Sequence, residues 1–242
     1  MTEKTQYMTS PVKVSLSASA DELRAKSSYK EAIKKYLNAL MIERNNANSY
    51  YGLGVCYKHT ENYSKAIHYL EKSAKINSNN YDTFFELGVC NLLKGIPCAA
   101  IQSFVKAVQI NPESSEAILQ LGVSHELCEE YDMALMIYQK LIETTPEFVK
   151  AYDYKSSLLM KLNRYKEAAD VLEKILKSNP DYYKAYAGIG ICFDKLGKKT
   201  EAQRFYRKFL QKNQDSSQIN FIMTRMKKIR QEKVGNRSLT LV

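Results

Sequence analysis

Residues 84–107 read FFELGVCNLLKGIPCAAIQSFVKA. The first part of this stretch places four residues on one helical face, at a spacing of 3, 1 and 3: Phe84, Leu87, Gly88 and Asn91. The second part places three residues on one face, at a spacing of 4 and 3: Ala100, Phe104 and Ala107. Such spacing is typical of amphipathic helices, so the stretch predicts one helix, a short turn and a second helix.

The whole pattern recurs along the chain at a constant step of 34 residues. In the predicted first helix, the small residue recurs as Gly54, Gly88, Gly122, Ser156 and Gly190. In the predicted second helix, an alanine recurs without insertion or deletion as Ala32, Ala66, Ala100, Ala134, Ala168 and Ala202. Fixed self-similarity at this period indicates an array of stacked repeats, whose usual role is to offer a binding surface.

The glycines and prolines of the pattern have distinct structural meanings. Glycine inside a helix costs about 1 kcal/mol relative to alanine, so its recurrence on the apolar face predicts a place where two helix backbones come close. Pro97 stands where a second helix begins, and its missing N–H costs nothing in a first turn. Three repeats end on a dipeptide whose first residue is pushed out of helical conformation, namely Asn111-Pro112, Thr145-Pro146 and Asn179-Pro180.

These columns closely resemble the tetratricopeptide repeat (TPR) superfamily, and the resemblance covers residues 13–216. It implies an all-α fold, a right-handed α-solenoid of stacked antiparallel helix pairs. The predicted repeats are 13–46, 47–80, 81–114, 115–148, 149–182 and 183–216. The N-terminal repeat is degenerate in its first helix, and another repeat carries Lys155 and Ser156 where leucine and glycine stand elsewhere.

The two ends of the chain depart from the repeat. Residues 217–233 keep a helical stripe of apolar residues, formed by Ile219, Ile222, Met223, Met226 and Ile229. Because a terminal repeat exposes an apolar face that must be covered, we expect this segment to be a C-terminal capping helix. We expect residues 1–12 and 234–242 to be disordered.

The formal charge of +10 is unevenly distributed along the chain. Residues 115–148 hold one lysine and seven acidic residues, whereas residues 183–242 hold fourteen basic residues and four acidic ones. A nucleic-acid reader would more naturally carry a continuous basic stripe. Binding of nucleic acid or an anionic surface through the basic C-terminal end is therefore an alternative, and a solubilising charged face is the simpler interpretation.

The sequence predicts a cytoplasmic protein. No stretch approaches the roughly 18 consecutive apolar residues of a membrane span, and the N-terminus lacks the apolar core of a signal peptide. Three cysteines share one column of the repeat, Cys56, Cys90 and Cys192, and we expect them to be small buried residues. No Cys-x-x-Cys pair suggests a zinc site, so no metal or other cofactor is expected.

No set of residues in the sequence indicates catalysis. The three histidines, His59, His68 and His125, fall in different repeats and in different helix columns. The chain has no glycine-rich phosphate loop, no nucleophile elbow and no His-Glu-x-x-His helix. We therefore predict a protein that is not an enzyme and has no catalytic residue.

The resemblance implies that the first helices of successive repeats line a concave groove, which receives a peptide or helix of a partner protein. The candidate groove residues on this chain are Tyr51, Val55, Phe85, Val89, Leu92, Glu116, Leu119, Val123 and Glu126. The apolar members would form a strip through three repeats, and an exposed strip of this kind marks an interaction site. Glu116 and Glu126 would orient a basic amphipathic partner. Alternatively, the N-terminal segment covers the strip, or its residues pack between helices.

The predicted function is a non-enzymatic adaptor or assembly factor that binds a partner protein. TPR domains that hold the C-terminal carboxylate of heat-shock chaperones use lysine, asparagine and arginine on three first helices. The matching columns here carry Tyr51, Val55, Glu86, Glu116 and Gln120, so a co-chaperone of that type is not expected. The alternative from another class is a structural scaffold, which self-associates through the groove or through the C-terminal helix.

Overall fold

The computed structural model describes residues 11–212 and 218–239, and within these ranges every regular element is an α-helix. The helices fall into two compact units, Met1–Glu130 (unit 1) and Tyr131–Val242 (unit 2). Within each unit, every helix packs on the helix that follows it in the chain. The predicted all-α class of stacked helix pairs is thereby confirmed.

Unit 1 contains helices α1 to α7 in its described part. They are α1 (Pro11–Ala25), α2 (Tyr29–Ile42), α3 (Ala47–His59), α4 (Tyr63–Ile76), α5 (Tyr81–Leu93), α6 (Pro97–Ile110) and α7 (Ser115–Leu127). The odd-numbered helices are the first helices of the pairs, and the even-numbered ones are the second helices. The predicted degenerate first helix at 13–27 is α1, which begins on Pro11 and ends on Ala25.

Unit 2 contains helices α8 to α13 in its described part. They are α8 (Tyr131–Thr144), α9 (Val149–Lys161), α10 (Tyr165–Ser178), α11 (Tyr183–Lys195), α12 (Lys199–Lys212) and α13 (Gln218–Leu239). The first helices of this unit are α9 and α11. Their partners in the repeat are α10 and α12.

Three first helices of unit 1 begin at a polar side chain that caps their free N–H groups. Asn46 caps α3 by accepting a hydrogen bond from the Ser49 N–H at 2.8 Å, and Asn80 caps α5 in the same way. The Ser114 hydroxyl accepts from the Ala117 N–H at the start of α7, at 3.2 Å. Such caps satisfy amides that have no partner within the helix.

The alanine column forms the centre of each helix pair. All six alanines at the 34-residue step are fully buried: Ala32, Ala66, Ala100, Ala134, Ala168 and Ala202. One turn further along the second helix, a large side chain is buried in each pair: Tyr36, Leu70, Phe104, Tyr138, Leu172 and Tyr206. The small residue admits the partner helix, and the large residue fills the space beside it.

The glycine column explains how the large side chain fits. A Cβ atom added at Gly54 would lie 2.4 Å from Leu70 Cγ, and one added at Gly190 would lie 2.5 Å from Tyr206. The predicted close approach is therefore present, but its nearest atoms belong to a side chain of the second helix. The backbone of that helix is further away, because the Cβ atom added at Gly54 would lie 3.3 Å from the Ala66 carbonyl oxygen.

A second 34-residue column lies in the turns between first and second helices. One residue in each turn has a positive φ: Ser27, Glu61, Gly95, Glu129, Asn163 and Gly197. At Glu61, the following N–H, from Asn62, donates to the Tyr57 carbonyl at 2.9 Å and closes the end of α3. This is the left-handed helix ending that favours glycine, and only Gly95 and Gly197 signal it in the sequence.

The repeat that carries Lys155 and Ser156 keeps its helix pair. Ser156 is buried, and its hydroxyl donates to the Asp153 carbonyl at 3.1 Å. Lys155 is half-buried and donates to the side chain of Gln139 on α8. Burial lowers the pKa of the Lys155 ammonium group. The departures from the repeat pattern are therefore accommodated by local hydrogen bonds.

Helix α13 covers the apolar end of unit 2. Three residues of the predicted stripe are buried against α11 and α12: Ile222, Met226 and Ile229. Met223, also predicted in the stripe, is exposed. The helix continues to Leu239, so residues 234–239 are helical where the sequence predicted a disordered tail. An established helix gains one hydrogen bond with each residue that it adds, and this stretch has no proline to stop it.

Some predictions for the chain ends fall outside the structure. Residues 1–10, 213–217 and 240–242 are not among the described residues. Residues 11 and 12, which the sequence placed in a disordered segment, are the first two of α1, where Pro11 occupies a position that tolerates proline well. Among the described residues, no helix is long and apolar enough to cross a membrane.

The close contact at the glycine column predicts that Gly88→Ala destabilises the protein. The added Cβ would lie 2.7 Å from ring atoms of Phe104. We expect the free energy of unfolding to fall by about 1–3 kcal/mol, because overpacking outweighs the gain in helix propensity. Urea titration followed by circular dichroism measures this change. In a Phe104→Leu background the same substitution should cost less, and a single variant more stable than wild type would contradict the packing role.

The positive φ at Glu61 predicts that Glu61→Gly stabilises the protein. Glycine adopts this conformation without the steric cost of a Cβ, so we expect the free energy of unfolding to rise by about 0.5–1 kcal/mol. The matched control is Glu71→Gly, an exposed position inside α4, which should lose about 1 kcal/mol. The two variants carry the same change of residue and charge. Equal losses in the two variants would show that the turn has no such preference.

Candidate functional site

The candidate site lies on the first helices of unit 1. Its predicted members come from three helices, α3, α5 and α7, which occupy equivalent places in successive pairs. We use the name first-helix face for the side of α3, α5 and α7 that carries these residues: Tyr51, Val55, Phe85, Val89, Leu92, Glu116, Leu119, Val123 and Glu126. All of them belong to unit 1.

Two of the predicted groove residues do not offer accessible surface. Val55 is 6% exposed and Leu119 is 1% exposed, so both belong to the packed interior. Val55 lies in the middle of α3, which contacts both α1 and α5. The other predicted members are half-buried: Tyr51, Phe85, Val89, Leu92, Glu116, Val123 and Glu126. Helical spacing alone did not separate these two sets.

Tyr51 marks the end of the face nearest the N-terminus. The guanidinium carbon of Arg24, on α1, lies 5.7 Å from the centre of the Tyr51 ring, in a cation–π contact. Burial raises the pKa of the Tyr51 hydroxyl to about 12, and the nearby negative charges of Glu86 and Asp82 act in the same direction. Helix α1 therefore contacts the face at Tyr51.

An ion pair joins the two first helices α3 and α5. Lys58 Nζ donates to Glu86 Oε2 at 2.7 Å, and the two side chains are only 17% and 18% exposed. A partly buried pair of this kind is less screened by salt than an exposed one. The pair fixes α5 against α3, and Lys58 is the one lysine that α3 contains.

At the centre of the face, aromatic side chains of α5 pack against one another and against α6. The ring of Phe85 stacks on Tyr81 at 5.7 Å between ring centres, and it meets the buried Phe104 edge-to-face at 5.7 Å. The Tyr81 hydroxyl is hydrogen-bonded to the Ser114 hydroxyl at 2.7 Å, where α7 begins. Because Phe85 is packed on two sides, its remaining exposed surface is held in one orientation.

The side of the face formed by α5 and α7 is acidic. Asp82 is exposed in the first turn of α5, and Glu116 and Glu126 are half-buried on α7. Gln120 donates from Nε2 to Glu116 Oε1 at 3.4 Å. The chain places no lysine or arginine between Lys106 and Lys140, so α7 itself contributes no basic side chain to the face.

Two family models match parts of the chain. The family model described as Tetratricopeptide repeat matches residues 159–224. A second family model, described as Regulator of microtubule dynamics protein 1-3, matches residues 17–88. A comparison with curated proteins finds no match.

Solved structures share the fold over most of the chain. A crystal structure of MamA is 26% identical, covers 66% of this chain and 94% of its own, and has a TM-score of 0.60. The C-terminal part of a TPR repeat-containing protein from Cytophaga hutchinsonii is 22% identical, with coverages of 81% and 78% and a TM-score of 0.72. YrrB, described as a TPR protein with an unusual peptide-binding site, is 16% identical, with coverages of 80% and 97% and a TM-score of 0.61.

The chain has the fold and the repeat pattern of the TPR superfamily. The family match, the structural likeness and the buried columns at the 34-residue step agree on this assignment. Extended surfaces built from stacked repeats typically serve as scaffolds for interactions between proteins. The question for this TPR protein is therefore which of its surfaces is open to a partner.

In unit 2 of the TPR protein, α13 occupies the corresponding face of α11. Ala187 and Asp194 of α11 occupy the repeat positions of Phe85 and Leu92, and both side chains are covered. Arg225 of α13 donates from Nε and Nη2 to the two carboxylate oxygens of Asp194, the second bond measuring 2.8 Å. A bidentate pair of this kind fixes the orientation of the helix as well as its position.

His59 and His125 each contact a neighbouring side chain. His59 stacks on Tyr29 at 4.5 Å, and burial lowers its pKa. His125 Nδ1 lies 2.6 Å from Glu130 Oε2. Within residues 11–212 and 218–239, no group of three or more histidine, cysteine or acidic side chains is arranged to hold a metal ion.

The cysteines divide into two kinds. Cys56, Cys90 and Cys192 are free and buried, as their shared column predicted. Cys98 and Cys128 form a disulfide in unit 1, which the sequence reasoning missed. Cys98 follows the turn between α5 and α6, and Cys128 begins the equivalent turn of the next repeat. These related positions were the available signal, but the proximity of the two cysteines depends on how α6 packs on α7.

The Arg225–Asp194 pair predicts that Arg225→Ala loosens α13. The substitution leaves the largely buried Asp194 carboxylate without its two charged donors, so we expect the free energy of unfolding of unit 2 to fall by about 1–3 kcal/mol. Hydrogen exchange should show faster exchange of the α13 amides. The control is Lys227→Ala, an exposed position on the same helix, which should change stability by less than about 0.5 kcal/mol. Equal losses of stability in the two variants would show that the Arg225–Asp194 pair does not hold α13 in place.

Proposed function

We propose that this TPR protein is a non-enzymatic adaptor or assembly factor, whose first-helix face binds a basic amphipathic segment of a partner protein. The observation that carries the proposal is the composition of the accessible face. Half-buried apolar side chains of α5 and α7 lie on the same side of unit 1 as acidic side chains of the same two helices.

The apolar part of the face has the form of a row of anchors. Phe85, Val89 and Leu92 recur at i, i+4 and i+7 on α5, and Val123 lies on α7. Each keeps part of its surface exposed. A helix or peptide that covers them would remove this surface from water, at about 25 cal/mol for each Å² of apolar area. A helix that lies in such a groove carries its own apolar anchors at i, i+3, i+4 and i+7.

The charge of the face selects the kind of partner. Asp82, Glu116 and Glu126 give the part of the face on α5 and α7 its acidic side chains. Lysine and arginine in a partner segment would complement these carboxylates, and a negatively charged segment would be repelled. Such complementarity sets specificity and association rate more than affinity.

The comparisons support a peptide-binding role at the level of the fold. YrrB is described as having an unusual peptide-binding site, and it shares the fold at 16% identity. The support for a basic ligand comes from this chain alone. Glu116 stands where a carboxylate-binding TPR domain would need a basic or amide group, which agrees with a ligand of the opposite charge.

We expect a basic amphipathic probe peptide to bind the protein, and the binding to depend on Leu92 and Val123. The probe is a labelled peptide of about 18 residues, five helical turns, with leucine at i, i+3, i+4 and i+7 and lysine elsewhere. Replacing Leu92 and Val123 by alanine should weaken binding by about 1–2 kcal/mol each, or roughly 5-fold to 30-fold. Fluorescence anisotropy gives the dissociation constants.

The matched control for this experiment is Met41→Ala. Met41 is an apolar residue of the same unit, 80% exposed on the second helix α2, away from the first-helix face. It should leave the affinity unchanged. Leu119 is not a suitable test because its burial couples any loss of binding to a loss of packing.

Three results would contradict the proposal. If the wild type and the Leu92→Ala, Val123→Ala variant bind the peptide with equal affinity at equal helicity, the first-helix face is not the binding site. Preference for a peptide with glutamate in place of lysine would favour the basic C-terminal end as the binding surface. A dimer that forms with rising concentration in light scattering, and that the double variant abolishes, would favour the self-associating scaffold.

A further inference from the structure

Cys98 and Cys128 lie together at one edge of unit 1. Their Cα atoms are 6.1 Å apart, within the range that a disulfide spans without movement of the backbone, and 30 residues separate them in sequence. Cys98 is the second residue of α6, and Cys128 is the residue that follows α7. The pair therefore joins the start of a second helix to the end of the next first helix.

The pair is accessible, unlike the other cysteines. Cys98 is exposed and Cys128 is half-buried. Cys56, Cys90 and Cys192 are fully buried, and burial raises the pKa of their thiols to about 11, 12 and 12 respectively. Since the thiolate is the reactive form, these three cysteines are poor nucleophiles at neutral pH.

We propose that Cys98 and Cys128 are a reversible two-electron redox site, which exchanges with small disulfides of the glutathione class. The proposal rests on the separation of the two residues, on the access of solvent to both, and on the position of Cys98 in the first turn of α6. It requires no partner at the first-helix face, so it stands independently of the proposed function.

The position of Cys98 makes it the attacking residue. The first turn of a helix has free N–H groups and a positive dipole end, which stabilise a thiolate. The Cys98 thiolate attacks one sulfur of the small disulfide, and the other sulfur leaves as a thiolate. This step forms a mixed disulfide on Cys98 Sγ.

Cys128 completes the exchange. Its thiol loses a proton to solvent, its Sγ attacks Cys98 Sγ, and the second small thiolate leaves. In the net reaction, two cysteine thiols lose two electrons and two protons, and one small disulfide becomes two small thiols. The reverse reaction consumes two small thiols and restores both cysteines.

Oxidation would fasten α7 to α6. The bond closes a loop of about 30 residues, which restricts the unfolded chain and so stabilises the folded unit. The side chains beside the pair do not seal it from water, because Leu93, Ile96 and Leu127 are themselves exposed. The reduced unit keeps the packing of α6 on α7 without this tether.

Thiol counting tests the redox site directly. The full chain is equilibrated with mixtures of reduced and oxidised glutathione, quenched in acid, and alkylated in denaturant. Of the five cysteines, we expect five to be alkylated after reduction and three after oxidation, with peptide mapping assigning the loss to Cys98 and Cys128. The Cys98→Ser variant should keep four alkylated cysteines after oxidation. The Cys128→Ser variant should keep three, because its Cys98 stays blocked as a glutathione adduct, and neither variant should form an internal disulfide.

Two outcomes of this count on the wild-type chain would overturn the proposal. In one, all five cysteines stay alkylated at every glutathione ratio. In the other, a stable glutathione adduct forms on Cys98 while Cys128 remains free, which would show that the second step does not occur. Loss of two thiols in the Cys98→Ser variant would assign the disulfide to other cysteines.

A stability measurement tests the fastening of α7. We expect the melting temperature of unit 1 to be higher in the oxidised chain than in the reduced chain by roughly 5–15 °C. Hydrogen exchange should slow in α7 in the same comparison. The Cys98→Ser variant should show neither change when the glutathione ratio is varied. Equal melting temperatures of the oxidised and reduced wild-type chains would show that the bond has no structural effect.

Discussion

The structure depends on one contact that recurs in three helix pairs, between a glycine of the first helix and a large residue of the second. Gly54 faces Leu70, Gly88 faces Phe104, and Gly190 faces Tyr206, each so closely that a methyl group would overlap the opposing side chain. The buried alanine one turn away brings the two helices together at this point. Because each residue of the contact has a fixed place in its helix, the contact sets the register between the helices, and that register decides which columns of the first helices face outward.

This dependence explains how much of the fold could be predicted from the sequence. The period, the helix pairs and the buried alanines follow from residue types at fixed spacing, and the structure contains all of them. The left-handed turn residues escaped prediction because a turn needs a backbone conformation and not a particular side chain. Glu61, Glu129 and Asn163 adopt it at a local cost, so they leave no glycine for the sequence to reveal.

The candidate site was predicted less completely, for a different physical reason. Whether a residue in a face column is exposed depends on neighbouring helices as well as on its own helix. Val55 and Leu119 have the spacing of accessible residues, yet both are buried. The disulfide between Cys98 and Cys128 likewise depends on how α6 packs on α7, and neither residue belongs to a repeated column. Residues whose role depends on several helices are beyond the reach of a periodic pattern.

The first helices of the two units are covered to different extents, and this difference suggests where a partner can bind. In unit 2, the chain supplies its own cover for α11, because apolar residues of α13 and the Arg225–Asp194 pair fill the place of a following repeat. In unit 1, α1 supplies one contact at Tyr51, and the α5 side chains at Phe85, Val89 and Leu92 remain half-buried. A solenoid must cover its ends to stay soluble, so the cover in unit 2 has a sufficient structural explanation. The accessible apolar residues of α5 serve no such need. Their exposure is the reason that we place the proposed partner site on this face.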